Sequence, residues 1–327
     1  MRLRPFAALS AAAVSAVLLA GCSGFGGGGT TASPTPTDAA AVDLCDAAAP
    51  SGAISDAVTA TGDVGTAPTV SFDFPIDTTD LATERTVLVT GDGDELTSGD
   101  YVNFGYTILD GTTGAVLETA GYQAGQMLPQ QISSDGLGSL FGCATVGSRI
   151  AAVAATGDEN TPSVVYVLDV LGINPTAAWG EEQAPVDGMP TVTLDADGTP
   201  NITVPTDQTP PTETEIATLK KGDGYTVADG DYVLIQFRGA RWSTGELFDG
   251  GDTWAGGSAY AGQTSGFVPG FSKALVGQTV GSQVLVVMPP AEGYGEGEIN
   301  STDLKGETLV FVVDILGAQQ ATPTSTE

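Results

Sequence analysis

The chain has 327 residues, of which 41% are hydrophobic, so it can bury the cores of two domains of ordinary size. Its 40 acidic and 10 basic residues give a formal charge of −30, which argues against nucleic acid and anionic lipid as partners and indicates a solvated acidic surface. The absence of histidine excludes Ser-His-Asp and Cys-His catalysis and disfavours a zinc site, so we expect no metal and no cofactor.

Residues 1–22 have the pattern of a leader, with two arginines before an apolar stretch that is too short to span a bilayer comfortably. The stretch ends in Leu19-Ala20-Gly21-Cys22, which resembles the lipobox of bacterial lipoproteins, where the leader is cut before a cysteine that becomes lipidated. The resemblance implies lipidation of Cys22 and an extracytoplasmic protein that is lipid-anchored to the bacterial cell membrane. A plain secretory signal with a chance cysteine is the alternative, and it also places the chain outside the cytoplasm.

The rest of the chain is expected to form a tether, two domains and a tail. Residues 23–38 are rich in Gly, Ser, Thr and Pro, a composition that cannot bury enough apolar surface to order, so they predict a disordered tether. We place the two domains at residues 39–178 and 179–318, followed by a disordered tail at residues 319–327.

Two cysteines remain once Cys22 is set aside. In an oxidising compartment, Cys45 and Cys143 suggest one disulfide. It would close a loop of about 100 residues, for which the chain-entropy estimate is about 4–5 kcal/mol of stabilisation. Two free buried thiols are the alternative.

The two domains are predicted from an internal repeat. Three stretches recur in the same order: GDYV at Gly99 and Gly230, VGSRIAAVAA at Val146 with VGSQVLVVMPP at Val280, and VYVLDVLG at Val165 with VFVVDILG at Val310. The first two pairs are 131 and 134 residues apart and the third is 145 apart, so the second copy carries an insertion before its last strand. The insertion contains Gly293-Tyr294-Gly295.

The sequence pattern of each copy predicts strands separated by glycine-rich turns. In the second copy the strand-like runs are residues 232–237, 284–288 and 308–316; in the last run alternation places Leu309, Phe311, Val313 and Ile315 on one face. One short helix is predicted from Phe271, Ala274 and Leu275 at helical spacing, preceded by Pro269 and Gly270, with Gly277 as its C-terminal cap. We therefore predict an α+β fold of two domains, each an antiparallel β-sheet wrapped around one short helix. Residues 175–188 and 200–211 are expected to link the copies, the latter lying against the second domain.

Five fragments of the second copy carry a family resemblance. In order they are IQFRG (235–239), GELFDGG (245–251), FVPGFSKALVGQTVGSQ (267–283), MPPAEGYG (288–295) and TLVFVVDIL (308–316). Together they resemble the FKBP-type peptidyl-prolyl cis-trans isomerases. One fragment would be a weak signal, whereas five in order along about 90 residues are specific. The resemblance implies an isomerase domain with the FKBP-like fold.

The resemblance also implies the site residues. They are Phe237, Phe248, Asp249, Phe267, Val268, Phe271, Tyr294, Leu304 and Phe311. The backbone N–H of Val268 would bind the substrate carbonyl, Phe271 would form the pocket floor, and Tyr294 would close the pocket from a flexible loop. Without the resemblance, the five phenylalanines would be interpreted as core residues.

The second copy departs from the family at several positions. Phe237 stands where the family has a tyrosine, so it lacks the hydroxyl that normally contacts the residue at Asp249. Phe271 replaces a tryptophan, and Tyr260 substitutes for an aromatic residue expected near Ser258. The loop lacks the usual Ile-Pro-Pro. These departures make substrate preference the weakest inference from the resemblance.

The implied activity is rotation of X-Pro peptide bonds in extracytoplasmic proteins. The rotational barrier of about 18–20 kcal/mol arises from amide resonance, which is lost at a 90° twist. An apolar aromatic pocket favours this less polar form relative to water and needs no acid, base or metal. The resemblance implies proline-containing secreted or envelope polypeptides as partners, with macrolides as alternative ligands. A non-catalytic FKBP-like chaperone or protein-binding module of the cell envelope is the alternative.

The first copy lacks part of the implied site. Tyr106 matches Phe237, but Leu117 and Glu118 replace Phe248 and Asp249, and the long loop is missing. We therefore expect a degenerate FKBP-like domain without isomerase activity, which acts as a spacer or a protein-binding module.

Overall fold

The computed structural model describes residues 43–77, 82–154 and 163–321, apart from the side chain of Asp249. The predicted leader, Cys22 and the tether lie outside these residues and stay predictions. All of the described residues belong to one compact unit. Within the described ranges, no helix is both long and apolar enough to cross a bilayer.

The first repeat is built mainly from antiparallel strands. In chain order its elements are α1 (Leu44–Ala47), α2 (Ala53–Ala57), β1 (Thr59–Thr61), β2 (Thr69–Ser71), β3 (Glu84–Val89), β4 (Tyr101–Asp110), β5 (Val116–Ala120), β6 (Gln130–Gln131), α3 (Leu137–Phe141), β7 (Arg149–Ala154) and β8 (Val164–Asn174). Strands β1 and β2 form a separate hairpin. The main sheet has the order β3-β7-β8-β4-β5, with β6 also paired to β4.

The second repeat follows the same plan. Its elements are β9 (Glu181–Glu182), β10 (Thr191–Leu194), β11 (Pro200–Thr203), β12 (Glu215–Lys221), β13 (Tyr232–Arg241), β14 (Leu247–Asp252), β15 (Tyr260–Gln263), α4 (Pro269–Leu275), β16 (Gln283–Met288) and β17 (Leu309–Gln319). The sheet has the order β14-β13-β17-β16-β12-β9, with β15 also paired to β13, and β10 and β11 form a hairpin. This topology repeats that of the first sheet, strand for strand, with β9 as an addition.

Both faces of the second sheet are buried, and the predicted alternation along its last strand is confirmed. Leu309, Phe311, Val313 and Ile315 lie in one core with α4. Val310 and Val312 lie in a second core, against Val192 and Ile202 of the β10–β11 hairpin. The prediction that residues 200–211 form a linker is therefore wrong for Pro200–Thr203, which are strand β11, but this stretch packs against the second repeat as predicted. A strand that is buried on both faces has a nearly continuous apolar sequence, and β17 has such a sequence.

The predicted helix is present as α4. Pro269 occupies its first turn, where the missing N–H has no helical partner in any case. Phe271, Ala274 and Leu275 are buried, and the helix packs against β16. Gly277 follows the helix with φ +87°, and its N–H donates to the carbonyl of Val227. A left-handed residue here suits glycine, as the sequence predicted.

Each sheet contains a buried carboxylate at the same repeat position. In the first sheet Asp169 pairs with Arg149 at 2.6 Å, and both side chains are fully buried. The same guanidinium donates to the carbonyls of Gly62 and Asp63, which ties the β1–β2 turn to the sheet. In the second sheet Asp314 accepts hydrogen bonds from Gln283 and from the backbone of Ala178. Burial raises the pKa of Asp314 above its ordinary value despite these donors.

The predicted disulfide is confirmed. Cys45 and Cys143 are bonded, with their Cα atoms 4.7 Å apart and a sequence separation of 98 residues. Leu44 packs in the same core as Phe141, and the N–H of Ala49 donates to the carbonyl of Ser139. The disulfide therefore fastens the N-terminal segment beside the short helix α3.

The predicted tail begins later than residue 319. Gln319 ends strand β17. Beyond it, the N–H of Gln320 donates to the carbonyl of Gly125, and the N–H of Ala321 donates to Asp231. Residues 319–321 are therefore held to the fold, because the two N–H groups beyond the strand find acceptors in both repeats.

Candidate active site

Five of the predicted site residues converge. Together with Tyr260 they form what we call the ring cluster: Phe237, Phe248, Tyr260, Phe267, Phe271 and Phe311. Within it, ring centroids are 5.2 Å apart for Phe271–Phe311, 5.5 Å for Phe248–Phe311 and 5.7 Å for Phe237–Phe271. Phe267 stacks on Phe271 at 4.9 Å. Most of the other pairs meet edge to face, the geometry that aromatic quadrupoles favour.

The rings come from different parts of the second repeat. Phe237 lies on β13, Phe248 on β14 and Phe311 on β17, while Phe271 lies on α4 and Phe267 just before it. Strand pairing places Gly239 opposite Phe311. A Cβ atom on Gly239 would lie 2.5 Å from the Phe311 ring and 2.8 Å from the Phe248 ring. A glycine at this position therefore lets both rings pack over the strand.

Tyr260 extends the cluster towards solvent. Its ring centroid is 6.3 Å from Phe237 and 5.9 Å from Phe267, and the residue is 49% exposed. It is the first residue of β15 and pairs with Ile235 on β13. This places an aromatic ring beside Phe237, as the sequence suggested for the aromatic residue missing near Ser258.

Val268 lies at the N-terminal end of α4 with extended backbone, and its carbonyl accepts from Phe271 and Ser272. Among the described residues, no acceptor is hydrogen-bonded to the Val268 N–H. The side chain packs at the edge of the same core as the rings. The free donor therefore lies next to an apolar surface, which is the arrangement that the resemblance implies for binding a substrate carbonyl.

The loop 289–308, which we call the flap, leaves β16 at two prolines. Its base is fixed, because Lys273 of α4 donates to Glu292 at 2.7 Å and lowers the pKa of that carboxyl. Tyr294 follows and is 49% exposed. In the described part of the chain it makes no ring contact, so the structure does not bring it onto the ring cluster. Its role as a lid stays a prediction.

The far end of the flap lines a cavity beside the rings. Leu304 packs against the core that contains the ring cluster, as expected for a site residue. A cavity of about 440 Å³ lies between the flap and the β13–β14 turn, and its apolar lining includes Phe248, Leu304, Leu247 and Ile299. Arg241 fixes the flap here by donating to the carbonyl of Asp303. The site thus continues from the ring cluster into an open, partly apolar cavity.

The first repeat contains a polar pair that sequence reasoning missed. The Tyr106 hydroxyl donates to Glu118 at 2.6 Å. Burial first, and then this hydrogen bond, raise the pKa of Tyr106 above its ordinary value. These residues match Phe237 and Asp249. The first repeat therefore has a hydroxyl–carboxylate contact that the second repeat cannot form at Phe237, which lacks a hydroxyl. The alignment of the two repeats had already matched Tyr106 to Phe237 and Glu118 to Asp249, so it contained the signal for this hydrogen bond.

Comparison with known proteins bears on the second repeat. Residues 224–316, which include the whole ring cluster, match the family described as FKBP-type peptidyl-prolyl cis-trans isomerase. The FK506-binding protein of Streptomyces anulatus is 30% identical over 112 residues, which are 32% of this chain and 86% of that protein.

Two further matches involve longer proteins. Trigger factor of Halothermothrix orenii is 37% identical over 97 residues, which are 30% of this chain and 20% of that protein. FkpA from Escherichia coli aligns at 22% identity with a TM-score of 0.30, over 40% of this chain and 53% of that one. The chain therefore spans most of one relative but only about a fifth of the trigger factor.

Proposed function

The chain belongs to the FKBP-type peptidyl-prolyl cis-trans isomerase family, and from this premise we propose that its second repeat accelerates X-Pro bond rotation in extracytoplasmic polypeptides. The observation that supports this most strongly is the ring cluster, in which five phenylalanines from separate elements meet with Tyr260. The sheet does not need this convergence in order to fold, since the first repeat has the same strand order with fewer aromatic rings in its core.

The mechanism uses polarity rather than acid–base chemistry. A planar prolyl amide is solvated best by water, and its twisted form is less polar because resonance is lost. The ring cluster offers the twisted form an apolar surface, while the Val268 N–H donates to a substrate carbonyl and holds the substrate over the rings. The apolar surface favours the transition state over the ground state, which is the condition for catalysis. We include Asp249, whose side chain lies outside the described part of the structure, and Tyr294 in the proposed site on the family resemblance alone.

The test uses the full chain and a chromogenic proline tetrapeptide. We expect the wild-type protein to speed cis–trans exchange and Phe248→Ala to lower kcat/KM by about tenfold, which corresponds to about 1.4 kcal/mol of lost transition-state stabilisation. Phe74→Ala is the control, since Phe74 is a 57% exposed phenylalanine of the first repeat. Exchange no faster than in buffer, with a folded wild-type protein, would refute the proposal.

A non-catalytic chaperone is the second candidate. Two observations favour it: Phe237 supplies no hydroxyl, and the edge strand β5 exposes Val116 and Leu117 at 61% and 56%. This candidate expects suppression of aggregation of an unfolded protein with no change in the rate of proline isomerisation. Measuring both with one preparation separates the two functions.

The cellular location is proposed from the leader alone. Lipidation at Cys22 would hold the protein at the outer face of the cell membrane, from which the tether would extend. We expect Cys22→Ser to move the full-length protein from the membrane fraction to the soluble fraction. An unchanged distribution would refute the anchor and leave the isomerase proposal untouched.

A further inference from the structure

The GDYV motif places a tyrosine at the same position in both repeats, but in opposite environments. Tyr101 lies opposite Gln131, and Tyr232 lies opposite Gln263, so their strand registers are equivalent. Tyr101 is 6% exposed, whereas Tyr232 is 46% exposed. Of these two tyrosines, only Tyr101 has a hydroxyl with a hydrogen-bond partner among the described residues. That partner is the backbone N–H of Ala259, which donates to it at 2.9 Å.

Ala259 immediately precedes Tyr260, the solvent-facing member of the ring cluster. The hydrogen bond therefore acts one residue away from the ring that contacts Phe237 and Phe267. On its C-terminal side Tyr260 is fixed by pairing with β13. On its N-terminal side the segment from Ala255 to Ser258 is exposed, so the chain is held there by Ala259, through its hydrogen bond to the Tyr101 hydroxyl and its packing against the cluster that contains Tyr101.

Other contacts fix Tyr101 itself. Its ring belongs to an apolar cluster with Leu128 of the first repeat and Leu234 and Leu316 of the second, and Ala259 packs against this cluster. Asn174 of the first repeat also donates to the carbonyl of Leu316. The ring position does not depend on the hydroxyl, so removing the oxygen alone leaves the contact between the repeats in place.

We propose that Tyr101 is a positioning residue for the isomerase site: its hydroxyl, supplied by the first repeat, sets the place of Tyr260 in the ring cluster of the second. The expected effect of Tyr101 on catalysis rests on the proposed function, whereas its effect on the position of Tyr260 does not. This role assigns the first repeat a task beyond spacing, since the side of the pocket next to Tyr260 is completed from outside the second repeat.

The test compares Tyr101→Phe with Tyr232→Phe in the full chain. Tyr101→Phe should lower kcat/KM about fivefold, mainly through KM, as expected for one lost hydrogen bond. Tyr232→Phe should leave it unchanged. In a Tyr260→Leu background, Tyr101→Phe should have no further effect, because the ring it positions is gone. Additive losses would indicate a general structural role and overturn the proposal.

A second readout does not need catalysis. In protein labelled with 3-fluorotyrosine, the Tyr260 resonance is assigned from its absence in Tyr260→Phe. We expect Tyr101→Phe to shift or broaden this resonance and Tyr232→Phe to leave it in place. An unmoved Tyr260 resonance in Tyr101→Phe overturns the positioning proposal. If the wild-type protein is folded but inactive, the proposed function fails, and the fluorine spectrum alone still decides the role of Tyr101.

Discussion

Replacing Gly239 by alanine should displace two rings of the ring cluster. The Cβ atom of alanine would lie 2.5 Å from the Phe311 ring and 2.8 Å from the Phe248 ring, against an ordinary contact distance of 3.4–4 Å. Gly239 is not among the glycines with positive φ, so the backbone itself accepts alanine. The effect of Gly239→Ala therefore comes from displacement of the two rings and not from backbone strain.

The expected magnitude follows from this overlap. Both rings must move by about 1 Å, and overpacking of this kind costs about 1–3 kcal/mol of stability. If about 1–2 kcal/mol of transition-state stabilisation is lost with the ring geometry, kcat/KM falls by about 5- to 30-fold. The fall in activity should persist at temperatures well below the unfolding midpoint, where the variant is folded.

The assay combines urea unfolding with the tetrapeptide exchange assay on the same protein. Gly172→Ala is the matched control, because Gly172 also lies in a strand and a Cβ there has no neighbour within 4 Å. Full activity of Gly239→Ala, together with a measurable loss of stability, would show that the positions of Phe248 and Phe311 do not matter for catalysis. That result would refute the ring-cluster mechanism.

Three further predictions concern stability. Replacing both Cys45 and Cys143 by serine should lower the unfolding free energy by about 4–5 kcal/mol, measured in urea; an unchanged midpoint would contradict the loop-closure reasoning. Arg149→Met leaves the buried Asp169 carboxylate unpaired and should cost about 3–5 kcal/mol, whereas the double change with Asp169→Leu should recover much of that loss. Asp314 has a raised pKa in the folded state, so its contribution to stability falls as the pH rises from its unfolded value through the folded one. Asp314→Asn should therefore gain stability relative to wild type as the pH rises from 3 to 7, and a constant difference would be inconsistent with the shift.

Local patterns were enough to predict much of the second repeat. The alternation in β17 identified its helix-facing side, because a strand presents successive side chains to opposite faces. Proline at the start of α4 and Gly277 after it marked the helix ends, because each residue suits the backbone geometry there. The site phenylalanines were chosen from the family resemblance, since periodicity alone describes them as core. The disulfide was predicted from the two cysteines that remain beside Cys22, on the expectation of an oxidising compartment.

Contacts between distant segments were decided only by the tertiary structure. The β10–β11 hairpin covers the second face of the sheet, although the proline-rich stretch that contains β11 predicts a linker. The two tyrosines of GDYV have the same local sequence, yet one is buried against Ala259, 158 residues away, and the other faces solvent. Sequence periodicity reports which side of a strand is apolar and not what will cover it. That depends on packing between segments far apart in the chain, and here it gave the first repeat a contact with the candidate site of the second.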